Sequence, residues 1–107
     1  MILKYEPKSK NANMDLLCNA ILELKTVEEV YRFLEDLCTM SELEKMAQRM
    51  EVAVMLWHKA SYQKVKNRTH ASTTTIGRIN KSLKYGNEGY KTVFFRLKDK
   101  TKFEWNR

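Results

Sequence analysis

Proline is nearly absent from this chain. The single one, Pro7, lies in a polar opening stretch, so no ring interrupts the later helical patterns. Cysteine is scarce too. Cys18 and Cys38 are too few for a disulfide framework, and the partners a zinc site needs are missing. Both fall at apolar positions of helical patterns and read as buried thiols in a reducing compartment. No segment approaches 18 consecutive apolar residues, which argues against a membrane-spanning helix, and residues 1–10 lack the apolar stretch of a signal peptide. The expectation is a soluble, cytoplasmic chain. Strand pairs, internal repeats and low-complexity tracts are also missing, and the reading is all-α. With 107 residues there is room for one domain with a modest core, and pairing of subunits is an effective way to bury more surface.

One further absence carries more weight. Between Lys59 and Lys84 there are seven basic side chains and no acid: Lys59, Lys64, Lys66, Arg68, Arg78, Lys81 and Lys84. Residues 1–57 hold 7 basic and 10 acidic side chains, whereas residues 58–107 hold 13 basic and 3 acidic. The net charge of +7 is therefore confined to one half of the chain. A field of one sign over half a small domain suits a polyanion, nucleic acid first among them.

Residues 1–13 show no sustained period and read as a flexible arm. A helical period starts at Met14, with Leu17, Ala20, Ile21 and Leu24 on one face. Thr26 and Glu29 form a capping box for a second helix, whose stripe is Val27, Val30, Tyr31, Leu34, Leu37 and Cys38. Ser41 and Glu44 repeat the box before a third, with Leu43, Met46, Ala47, Met50, Ala53, Val54 and Trp57 inward. Val52, Met55 and Leu56 make the end of that helix apolar around most of its circumference, as expected of a helix buried between neighbours or subunits. Met46, Met50 and Met55 read as core filler.

Residues 62–68 then form a two-turn helix with Val65 inward, and residues 69–72 a turn. Ser72 or Thr73 caps a helix with Ile76, Ile79 and Leu83 inward, ended by Gly86. Asn87 caps a sixth helix carrying Tyr90, Val93, Phe94 and Leu97. Residues 14–98 thus make one bundle, and residues 99–107 a charged tail.

Short helix, four-residue turn, longer helix is the helix-turn-helix plan over residues 61–84. In that plan the second helix enters the major groove and its first residues meet base edges, while the first helix crosses the backbone. Thr73, Thr74 and Thr75, poor helix formers in a row, open the second helix with hydroxyls and methyls suited to bases. Together with Gly77 and Arg78 they are the expected base-edge set. Lys64, Lys66, Arg68, Lys81 and Lys84 are the expected phosphate set. The turn lacks glycine, so His70 or Ser72 must adopt an unusual dihedral. His70 caps a helix or reaches a phosphate, and His58 closes the third helix favourably.

Rival chemistry finds less support. No nucleophile context or metal-ligand spacing occurs, so neither enzyme, metal nor cofactor is expected. The alternative is an RNA-binding or protein-interaction helical module. An RNA reader would usually show exposed aromatics on a sheet or a glycine-containing clamp loop, and the sequence has neither.

The segment Ser61-Tyr62-Gln63-Lys64-Val65-Lys66-Asn67 resembles the first motif helix of the Trp repressor family. Residues 71–84 resemble its recognition helix, above all at Ile76, Arg78, Asn80 and Ser82-Leu83-Lys84. The stretch from Leu43 to Met50, with Arg49, is similar as well. The likeness covers about residues 14–90 and is strongest toward the YerC/YecD branch of the family. It implies an all-α, six-helix bundle in an intertwined homodimer that binds operator DNA and regulates transcription, with repression the expected sign. No membrane partner is expected, since the sequence has no long apolar segment. It also implies an effector pocket. The two arginines that sandwich an indole in the family fall on Arg49 and Arg78, and a threonine and a serine that touch the ligand fall on Thr39 and Ser82. The glycine that leaves room for the ring is Ile79 here, a branched side chain that fills that room. The effector, if the protein has one, is unknown and is not expected to be tryptophan.

Overall fold

Four helices in the computed structural model begin after a short polar side chain that caps them, Asn11, Thr26, Ser61 or Ser72. The structure describes residues 5–97. Among them are six helices and no strand. They are α1 (Ala12–Leu22), α2 (Val27–Leu37), α3 (Met40–Trp57), α4 (Tyr62–Thr69), α5 (Thr73–Tyr85) and α6 (Gly89–Leu97). The chain divides into two compact units, Met1–Met40 and Ser41–Arg107. The tail at 99–107 lies outside the described residues.

The first unit holds α1 and α2. Asn11 caps α1, its Oδ1 accepting from the Met14 N–H at 2.8 Å. The helix therefore starts two residues before the apolar period does. Thr26 Oγ1 accepts from the Glu29 N–H at 3.1 Å, as expected of the box. The returning carboxylate of Glu29 takes the N–H of Lys25 at 2.7 Å rather than that of Thr26. No residue of α1 or α2 is buried. Leu22 and Val27 are 77% and 73% exposed, and Leu16 and Tyr31 are nearly as open. Cys18 is exposed and Cys38 half-buried, so neither is the buried thiol its apolar position suggested.

The second unit carries the core. Val52, Ala53, Val54 and Met55 of α3 pack with Val65 of α4, Ala71, Ile76, Ile79 and Leu83 of α5 and its approach, and Phe94 of α6. Four consecutive buried residues bear out the expectation that the end of α3 is surrounded. The start of α3 differs from the sequence reading. The helix begins at Met40, so Ser41 lies inside its first turn instead of capping it. Met46 and Met50 are 40% and 38% exposed in the single chain; only Met55 of the three methionines is core. A period of 3.6 marks a face as apolar without saying what covers it.

Helix α6 closes the core. Trp57 meets Phe94 at 5.6 Å between ring centroids and Phe95 at 6.1 Å, and Tyr90 stacks on Phe94 at 5.9 Å. Such ring pairs add about 0.5–1.5 kcal/mol each beyond area burial. Glu88, not Asn87, precedes α6, with φ of 68° and its carbonyl accepting from Thr92. Among the described residues no helix is long and apolar enough to cross a membrane.

Candidate nucleic-acid interface

Helices α4 and α5 and the turn between them are fixed by a small set of hydrogen bonds. Ser61 Oγ caps α4 by accepting from the Lys64 N–H at 3.1 Å, and Ser72 Oγ caps α5 by accepting from the Thr75 N–H at the same distance. Between the two caps His70 ends α4 in the left-handed region, with φ of 62° and ψ of 17°, its N–H on the Lys66 carbonyl. The turn made without glycine thus places its strain on His70, one of the two residues expected to carry it. Thr69 is buried. Its hydroxyl donates to the Val65 carbonyl at 2.8 Å and accepts from the Ala71 N–H at 3.2 Å, so the polar side chain is satisfied inside the turn.

Two side chains of α3 hold the end of α4. Gln48 Nε2 donates to the Thr69 carbonyl at 3.1 Å, and Glu51 accepts from Arg68 Nε at 3.2 Å. Neither residue is marked by the helix-turn-helix pattern of the sequence. The available signal was that Glu51 is the last acid before Glu88, at the edge of the acid-free stretch.

Helix α5 is split lengthwise. Ile76, Ile79 and Leu83 are buried. Thr73, Thr74, Arg78, Lys81 and Lys84 are exposed, and Gly77 is half-buried. On α4, Lys64 and Lys66 are exposed. The structure thus brings most of the expected set to exposed positions of one helix pair. Two members stand apart. Thr75 is half-buried and tied into the cap, its Oγ1 accepting from Ser72 Oγ at 3.0 Å. Arg68 is bound to Glu51, with a side chain only 28% exposed.

The residues implied as an effector pocket do not gather in one unit. Thr39 is exposed in the first. Arg49, Arg78 and Ser82 are exposed in the second, where Ile79 is 5% exposed within the core.

An all-α unit with a capped helix-turn-helix in a basic stretch of sequence without acids defines a helix-turn-helix protein. The family model described as Trp repressor protein matches residues 12–98, and the chain belongs to that family. YerC of Bacillus subtilis (strain 168) is 46% identical over 92 residues, which is 86% of this chain and 88% of YerC. A TrpR-like protein from Eubacterium eligens ATCC 27750 superposes with a TM-score of 0.81 at 46% identity, over 89% of this chain and 98% of that one. A candidate Trp repressor from Staphylococcus aureus gives 0.80 at 38% identity, over 89% and 95%.

Proposed function

We propose that this chain is a transcription regulator, acting as a repressor, that binds double-stranded DNA sequence-specifically as a cytoplasmic homodimer. The observation that carries the reading is the lengthwise division of α5. One side is anchored in the core by Ile76, Ile79 and Leu83, while Thr73, Thr74, Arg78 and Lys81 stand exposed in a stretch without a single acid. A rigid helix offering hydroxyls and cations at its first turns suits major-groove base edges. Thr73, Thr74, Gly77 and Arg78 read bases in this assignment, with Thr75 in a mainly capping role. Lys64, Lys66, Lys81 and Lys84 meet phosphates, and Arg68 does so less than the others because Glu51 holds it.

Dimerisation follows from the first unit. Two helices with apolar stripes and no buried residue do not offset the conformational entropy of their own ordering. A second copy of the same helices supplies the cover, and a twofold pair of motifs would read half-sites roughly 34–36 Å apart. Free tryptophan is not the effector in this reading, because Ile79 occupies the room a ring would need.

The test is selection of bound duplexes from a randomised pool, followed by fluorescence anisotropy on the selected duplex, a scrambled duplex and the matching single strands. The reading expects the selected duplex to bind at least about 1,000-fold tighter than the scrambled one. Equal binding to duplex and single strand would favour the RNA-binding alternative, and no nucleic-acid binding at all a protein-interaction module.

A further inference from the structure

Gly77 sits at the fifth of the thirteen positions of α5. A glycine inside a helix destabilises it relative to alanine, so its presence calls for a cause. Of the other two glycines, Gly86 has one in the chain itself, and Gly89, where a Cβ would also meet nothing within 4 Å, needs none. A Cβ on Gly86 would stand 2.4 Å from the Ser82 carbonyl oxygen, and Gly89 opens α6, outside the helix interior where the penalty applies. A Cβ on Gly77 would meet nothing within 4 Å, and no glycine here has positive φ. Neither packing nor backbone conformation within the described chain requires a bare position there. The requirement therefore comes from outside the chain.

The neighbourhood says what approaches. On a helix surface Gly77 is flanked one turn before by Thr73 and Thr74 and one turn later by Lys81. All three are exposed. The N–H of Gly77 lies beyond the first four of the helix and is taken up by the ladder, so the backbone offers no donor. A phosphate or a base acceptor at this spot would be served by a polar side chain, not by none. What a bare Cα surrounded by donors fits is a small apolar group with an acceptor beside it. In the major groove thymine has that pattern: a 5-methyl group next to O4. Cytosine presents a donor and no methyl, and the purines present no methyl.

We propose that Gly77 is a thymine-reading position. The 5-methyl group rests against the α5 backbone at Gly77, and a hydroxyl of Thr73 or Thr74 or the Lys81 ammonium donates to O4. The assignment rests on the duplex-DNA reading above and adds to it which base is read and why the helix carries its one interior glycine.

The experiment compares the full-length wild type with Gly77→Ala on two duplexes, one selected by the wild type from a random pool and its scrambled counterpart. Each thymine of the selected site is also replaced in turn by deoxyuracil, which removes only the methyl. Gly77→Ala should raise the melting midpoint by about 2–8 °C, since the helix gains a better former. It should weaken the selected duplex about 10-fold and leave the scrambled one within about twofold. Deoxyuracil at the thymine that faces Gly77 in one half-site should weaken the wild type about fourfold, the worth of one buried methyl, and should not weaken Gly77→Ala further. A raised melting midpoint with unchanged binding to the selected duplex overturns the proposal, as does indifference of the wild type to every deoxyuracil replacement. If the wild type does not prefer the selected duplex to the scrambled one, the DNA reading fails and this inference with it.

Discussion

Arg68 of α4 and Glu51 of α3 meet at 3.2 Å, Nε to carboxylate oxygen, joining the first motif helix to the helix that runs behind it. The side chains are 28% and 37% exposed, so solvent screens the pair and it is worth about 0.2–1 kcal/mol. One cation of the basic half is thereby assigned to the scaffold. Arg68→Ala should lower the thermal midpoint by a few degrees and change the salt dependence of DNA binding little. Thermal melts and a salt titration of the same variant check both parts. A full loss of one phosphate contact, about 0.9 in the log–log slope, would show that Arg68 leaves Glu51 for the duplex.

The turn gives a second prediction. His70 holds φ of 62°, where a Cβ is unfavourable and glycine is at ease. His70→Gly should stabilise the protein by about 0.5–1 kcal/mol after the greater freedom of glycine in the unfolded chain is counted. The branched side chain of His70→Val should destabilise it by more than that. Circular-dichroism melts of the two variants against the wild type decide it. Melting points in the opposite order would mean that the His70 ring supplies an interaction outweighing its backbone strain.

How far the sequence carried depends on what kind of information each residue held. The six helices were legible because their apolar positions recur at the helical period, and the helix-turn-helix lies where residues 61–84 placed it, with α4 one residue longer than read. The all-α fold and its family were legible from Ile76, Arg78, Asn80 and Ser82-Leu83-Lys84. Caps were less legible. Ser41 and Glu44 have the spacing of a capping box, but Met40 already belongs to α3, and Glu88 rather than Asn87 precedes α6. A capping pattern states that a residue is able to cap, and the neighbouring backbone decides whether it does. The cover of each apolar face was not legible either. Met50 and Ala53 are three residues apart on the same face of α3, yet one is 38% exposed and the other fully buried. Within the site, Thr75 looked equivalent to Thr73 and Thr74, and only the geometry of the Ser72 cap separates them.

A third prediction concerns assembly. Leu22 and Val27 are 77% and 73% exposed in a single chain, and exposure of that kind across two helices marks an interaction surface. Sedimentation at micromolar concentration should give a dimer, and the melting point should rise with protein concentration. Val27→Glu should shift the equilibrium toward monomer. A monomeric wild type with native helicity would refute the homodimer.

A fourth concerns tryptophan. Ile79 is 5% exposed among Ile76, Leu83 and the buried end of α3, so the side chain is part of the core. Crowding an extra ring into a filled site is unfavourable by about 1–3 kcal/mol, enough to abolish a weak ligand. Calorimetry of L-tryptophan against the wild type should show no saturable heat. Saturable binding in the micromolar range sinks the claim. Ile79→Gly opens the space at the expense of the core, and its helicity must be verified before any gain of binding is credited to the vacated room.

The last prediction divides labour between the two motif helices. Lys64 and Lys66 are exposed on α4, where a helix crossing the backbone would meet phosphates. Contacts of that kind hold the protein on any duplex and carry no sequence information. Lys66→Ala should therefore weaken selected and scrambled duplexes alike and reduce the log–log salt slope by about 0.9. Thr74 is exposed in the first turn of α5, and its hydroxyl and methyl are suited to base edges. Thr74→Ala should weaken the selected duplex by about 1–3 kcal/mol and the scrambled one little, because only matched bases reward the contact. Alanine is also the better helix former, so lower affinity in this variant would not reflect a weaker helix. Ser72→Ala serves as the control for fold. It removes the cap that accepts from Thr75 and should lower stability by about 0.5–2 kcal/mol without selective loss on one duplex. Anisotropy on both duplexes at several salt concentrations, with helicity measured in parallel, reads all three. Equal losses for Lys66→Ala and Thr74→Ala on both duplexes would show that α5 is not the helix that reads the sequence.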